Sequence, residues 1–101
     1  MIAVIFRAQI ANLDAAYAQA AENLRDKALR EYGCLEFCAW TEGDQEVAIS
    51  YWENEEQIKA WRADPEHQKA QATGKSTWYA SYSVQVVEVL REYSHTASGK
   101  A

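Results

Sequence analysis

Two apolar runs, 34–42 and 45–52, flank Gly43-Asp44, and this hairpin constrains the fold more than any other feature of the chain. A two-residue loop opening on glycine favours the tight primed turns that match strand twist. That loop sets Trp40 opposite Val47, Cys38 opposite Ile49 and Phe37 opposite Ser50. One face then carries Cys38, Trp40, Val47, Ile49 and Tyr51. The other carries Leu35, Phe37, Ala39, Ala48, Ser50 and Trp52. Neither face is polar, so both need cover.

The rest of the chain supplies it. Residues 2–9 form an apolar, β-branched run too short for a capped helix, and read as a buried strand. Leu13, Tyr17, Ala20, Leu24, Ala28 and Tyr32 recur at three or four residues, which predicts a helix over 13–32. Asn12 is its expected cap, Asp14 suits the first turn, and Gly33 is the expected left-handed stop. Asn54 with Gln57 has the form of a capping box ahead of Ile58 and Trp61. Asp64-Pro65 restarts that helix, which is expected to run to Thr73 and end at Gly74. Residues 76–93 read as one very long strand. Trp78, Ala80, Tyr82, Val84 and Val86 share a face of it, and Val86-Val87 marks a bulge.

The order β-α-β-β-α-β predicts an α+β, ferredoxin-like fold: one antiparallel four-stranded sheet with two helices on one face. Two helices cover one sheet face only, and the last strand far exceeds the usual five or six residues. A second subunit packed sheet against sheet answers both points, giving a homodimeric α+β barrel. The expected arrangement turns Phe37, Ser50 and Trp52 to the barrel interior and both cysteines to the helix-covered core. The expected domain is 1–93, with a flexible tail at 94–101.

A chain of 101 residues is one domain. Fifteen acidic against ten basic residues give a net charge of −5, which makes nucleic acid and anionic membrane poor partners. No apolar run of spanning length occurs. Met1-Ile2-Ala3-Val4-Ile5-Phe6 lacks a basic start and a cleavage site, so no signal peptide is expected. Cys34 and Cys38 lie about 13 Å apart along a strand, too far for a disulfide. Reduced thiols imply a cytoplasmic location. No glycine-rich phosphate loop and no metal-ligand spacing occurs.

Three segments carry a resemblance that covers essentially residues 2–93: Ile49-Ser50-Tyr51-Trp52-Glu53, Ala60-Trp61-Arg62-Ala63-Asp64-Pro65-Glu66-His67, and Trp78-Tyr79 followed by Val86-Val87-Glu88-Val89. The chain resembles the antibiotic biosynthesis monooxygenase domain family, the small dimeric α+β barrel proteins. The resemblance implies a cofactor-independent monooxygenase or related oxidase, with O₂ and a small electron-rich aromatic, quinol or phenolic, as substrates. Deprotonation, electron transfer to O₂ and radical recombination would follow, with no cofactor. Two other readings stay open: a non-catalytic, small-ligand-binding dimeric module, and a haem-binding or haem-degrading protein. Anthrone oxygenases of the family carry an Asn four residues before the Trp matched by Trp52; position 48 here is Ala. The haem degraders carry a His ten residues after the Trp matched by Trp61; position 71 here is Gln.

His67 is the only histidine inside a predicted element, and is the candidate base or hydrogen-bond partner for a phenol. Its plainer role is packing at a subunit edge. Trp52, Trp61, Phe37, Ser50, Trp78 and Tyr82 are the candidate substrate-binding residues, because ligand pockets are largely apolar with few placed polar groups. Core and interface packing is their plainer role. Arg7 and Arg62 can hold an anion or simply sit at the surface.

Overall fold

A computed structural model describes residues 1–97. The elements are β1 (Ile2–Ile10), α1 (Ala15–Glu31), β2 (Glu36–Glu42), β3 (Gln45–Trp52), α2 (Glu55–Arg62), α3 (Pro65–Thr73), a π-helical turn (Gly74–Trp78) and β4 (Tyr79–Glu88). The strands form one antiparallel sheet in the order β2-β3-β1-β4, the ferredoxin-like α+β arrangement. Three helices stand where two were expected, because Asp64-Pro65 does break the second. Asp64 caps α3, accepting from the Glu66 N–H at 2.8 Å. No helix of the described residues is long and apolar enough to cross a membrane.

The hairpin register is the expected one: Trp40 opposes Val47, Cys38 opposes Ile49 and Phe37 opposes Ser50. Gly43 takes φ +59° in its turn and Gly33 takes φ +82° after α1, both left-handed. Asn54 caps α2 through its side-chain oxygen, 3.0 Å from the Gln57 N–H.

The assignment of the two faces is reversed. Val4, Ala28, Cys34, Trp52, Ile58 and Trp61 form the buried cluster, with Leu24, Tyr32 and Phe37 packed against it. The Phe37, Ser50 and Trp52 face therefore lies under the helices, and the Cys38 and Trp40 face is open. Truncating a buried tryptophan costs about 3–5 kcal/mol. Trp52 is fully buried while Trp40 is 57% exposed, so Trp52 decides which face the helices cover. Cys34 precedes β2 and is buried in the core, whereas Cys38 is half-buried on the open face. Both are free thiols, and burial raises the pKa of each.

Three further expectations are corrected. Asp14, not Asn12, caps α1, its Oδ1 accepting from the Tyr17 N–H at 3.1 Å. The same oxygen accepts from the Trp78 indole at 3.1 Å, which ties the start of α1 to the end of the π turn. α3 ends at Thr73 with Gly74 as its C-cap, as expected, but Gly74 is right-handed, with φ −56°, and the chain continues in a wider turn. The last strand is ten residues, not eighteen. It cannot start at 76, because the Trp78 carbonyl accepts from Ala11 and Asn12 at 2.8 and 3.2 Å, and Trp78 itself is buried. The irregularity in the sheet falls at Gln9/Ile10 opposite Tyr79–Ser81, not at Val86-Val87. Residues 89–97 carry no regular secondary structure, and the end of the expected tail, 98–101, lies outside the described residues.

Candidate functional site

A cavity of about 410 Å³ lies between the helices and the covered sheet face. Small side chains create it. Ala18 and Ala21 on α1, Ala70 on α3, and Ala39 and Ala48 on the sheet all line it. Larger residues at those positions would close the gap, as Ala28 beside Trp52 lets the core close at the other end of α1. The volume falls within the ~300–1,000 Å³ range of small-molecule sites.

The walls are aromatic. Phe6 lies 5.3 Å from Tyr79 and 5.6 Å from Tyr82, centroid to centroid. Tyr17 meets Trp78 edge to face at 5.1 Å, and Phe37 meets Trp61 at 6.1 Å. Of the residues selected from sequence, His67, Trp61, Phe37, Ser50, Trp78 and Tyr82 all line this one cavity, brought together from α3, α2, β2, β3, the π turn and β4. Trp52 does not line it. It lies beneath, 5.2 Å from the Trp61 ring, and its indole donates to Ser50 Oγ at 2.9 Å. That bond fixes the Ser50 oxygen as an acceptor and leaves its hydroxyl proton free to donate. Arg62 lines the cavity while staying exposed; Arg7 is on the open face, opposite Val47 and Ser83.

His67 occupies the first turn of α3, placed there by the Asp64 cap and Pro65. Its ring meets Trp61 edge to face at 4.4 Å. Its Nδ1 is buried and has no hydrogen-bond partner. Burial, helped by the Arg62 charge, lowers its pKa below 6.5, so the imidazole is neutral at pH 7. A neutral imidazole in the lining of an aromatic cavity can take a proton or a hydrogen bond from a ligand. Gln71, at the position of the haem degraders' histidine, also lines the cavity.

A second polar group was missed by the sequence reading. Glu46 on β3 is 8% exposed and lines the cavity with Tyr17 and Tyr79. The Tyr17 hydroxyl donates to Glu46 Oε1, and Tyr79 Oη lies 3.1 Å from Oε2. Strand alternation was the available signal, since Glu46 shares the face of Ala48, Ser50 and Trp52.

Comparison with known proteins bears on the fold and the family. The uncharacterised protein YqjZ of Bacillus subtilis (strain 168) is 36% identical over 91 residues, covering 89% of this chain and 80% of that one. The fold is shared with SnoaB, a cofactor-independent oxygenase from Streptomyces nogalater, at TM-score 0.74 and 12% identity, over 90% of this chain and 94% of that one. It is shared also with Rv0793 from Mycobacterium tuberculosis, at TM-score 0.69 and 20% identity, over 92% and 98% of the two chains. Residues 1–73, which carry β1 to β3, the core tryptophans and His67, match the antibiotic biosynthesis monooxygenase family, and the chain belongs to that family.

Proposed function

We propose that this protein is a cofactor-independent monooxygenase that oxidises a small electron-rich aromatic, a quinol or a phenol, with O₂, and that it works as a homodimer. The observation that carries the reading is His67, an imidazole whose pKa burial lowers, in the lining of an aromatic-walled cavity. Family membership supports the class of chemistry. The imidazole accepts a proton from the bound substrate. The resulting anion passes an electron to O₂, the radical pair joins at carbon as a peroxide anion, and the imidazolium returns its proton to give a hydroperoxide that loses water. The substrate supplies all the electrons. The protein therefore has only to bind, deprotonate and exclude water, and the low polarity of the walls suits each task.

The test is oxygen uptake with dihydroxyanthracene- or menadiol-type substrates, comparing wild type with His67→Ala at equal protein concentration. Loss of a general base lowers the rate by about 10²–10⁴-fold. The fold should survive. Losing the edge-to-face contact with Trp61 costs roughly 0.5–1.5 kcal/mol, and removing a buried unpartnered nitrogen offsets about as much. Equal rates in the two proteins would reduce His67 to a packing residue. No rate above background in either, across the panel, would favour the binding-module reading. A tight haem complex in a Soret titration, with a spectrum altered by His67→Ala, would favour the haem reading.

A further inference from the structure

Away from His67, the cavity contains a buried carboxylate without a cation. Glu46 lies four residues along β3 from Ser50, roughly 13 Å at strand spacing. Among the described residues the ion pairs are those of Lys27 with Asp64 and Glu66, and none involves Glu46. Its two partners are phenols, and both remain protonated. Burial first, then the contact with Glu46, raises the Tyr17 pKa far above 10, and burial does the same for Tyr79. Tyr17 takes one oxygen of the carboxylate and Tyr79 lies against the other. An ionised carboxylate has about four acceptor positions, so two donors leave it under-satisfied. Burying an anion in that condition costs free energy that a further donor would recover. The rings of Phe6, Tyr79 and Tyr82 beside it, at 5.3–6.1 Å from one another, present flat faces that suit an arene and, with their negative π surfaces, a cation.

We propose that the Glu46 carboxylate, two of whose acceptor positions Tyr17 and Tyr79 occupy, is a subsite for a hydrogen-bond-donating, non-anionic group on the ligand, a hydroxyl or an ammonium, and that it rejects ligands bearing a carboxylate there. The inference rests on the cavity being the ligand site, as in the proposed function, but it needs no turnover. It makes Glu46 a specificity determinant: His67 receives the reacting proton, and Glu46 selects what the other end of the molecule may carry.

The experiment is calorimetric titration under anaerobic conditions with four probes on one scaffold: naphthalene, naphthol, naphthylmethylamine and naphthoate. In the wild type, naphthol or naphthylmethylamine should bind about 10- to 100-fold tighter than naphthalene, the range expected for a hydrogen bond to a charged acceptor. Naphthoate should gain nothing over naphthalene. The tighter of the two donor probes identifies the source of the donor. Glu46→Gln should erase most of the preference, and the ammonium probe should lose more than the hydroxyl probe. The double variant Tyr17→Phe, Tyr79→Phe removes the competing phenols and should keep the preference. This variant and the wild-type ranking decide the matter even if Glu46→Gln folds poorly. Naphthoate binding as tightly as naphthol in the wild type would overturn the proposal, and so would an unchanged ranking in folded Glu46→Gln. Loss of the preference in the double variant, or no binding of any probe, would overturn it too. Unaltered oxygen uptake in His67→Ala would instead count against the oxygenase reading and leave these affinities standing.

Discussion

Asp64 ties α1 to α3 with one carboxylate. It caps α3, accepts from Tyr32 Oη at 2.6 Å, and pairs with Lys27 Nζ of α1 at 3.2 Å. The Tyr32 hydrogen bond, and after it Lys27 and the Glu66 N–H, lower its pKa from 3.8 to about 2 against an opposing effect of burial. His67 follows three residues later, so this carboxylate also fixes the turn that presents the imidazole. The sign of the linkage is that of a depressed acid. Its stabilisation is complete above about pH 4 and is lost as pH falls through about 2. Asp64→Asn should therefore melt below wild type at neutral pH, and the gap should narrow between pH 4 and 2 and close below that. Melting temperatures of both proteins across this window check the point. Curves that stay parallel to pH 2 would mean that Asp64 stabilises as a neutral acceptor and that its charge is immaterial.

Among the elements, the π turn places the chemistry. Gly74 is right-handed, so its lack of a side chain serves space and not backbone angle. A Cβ there would stand 3.0 Å from two ring carbons of Tyr79. That ring is held by Phe6, Tyr82 and the Glu46 contact, and has little freedom to move aside. Gly74→Ala gains roughly 1 kcal/mol of helix propensity but overpacks at a cost of about 1–3 kcal/mol. The expected outcome is a net destabilisation of about 1 kcal/mol in urea unfolding. A stabilised variant would show that the ring yields. The sequence predicted a stop here because glycine after a helix usually is one; nothing local announced a ring above it. The hairpin register and the α2/α3 break were legible because each rests on local chemistry: a two-residue turn, a cap, a proline at a first helical position. The covered face was legible too, but in β1 rather than the hairpin. There Arg7 and Gln9 share the open face, while Val4, Phe6 and Ala8 alternate toward the helices. Six of the seven residues selected for the candidate site line one cavity. Trp52 fell outside it because full burial and a cavity wall look alike in sequence, and Glu46 was absent because a strand glutamate ordinarily faces water.

At the scale of the whole molecule, the sheet remains half dressed. Its open face carries Ile5, Val47, Ile49 and Tyr51 with Trp40, whose exposure of 57% is high for so apolar a residue between strand neighbours. Val87 is 37% exposed beside them, and beyond β4 Leu90 and Tyr93 are 79% and 87% exposed. Contiguous apolar surface on this scale is a mark of association. Glu36, Glu42, Arg7 and Gln9 lie on the same face, which supplies polar groups among the apolar ones. A second copy, placed sheet against sheet, would bury Trp40 and give the chain after Glu88 a surface to lie on. Sedimentation at micromolar concentration should find a dimer. Trp40→Glu should weaken it by more than about 30-fold, since aromatic anchors contribute 2 kcal/mol or more and the new carboxylate would be buried unpaired. The helix-covered cavity lies on the opposite face of the sheet, so the monomeric variant should still bind the naphthalene probes. A monomeric wild type would remove the barrel. A dimer indifferent to Trp40→Glu would move the interface elsewhere on the molecule and leave the exposed tryptophan to be explained by another partner.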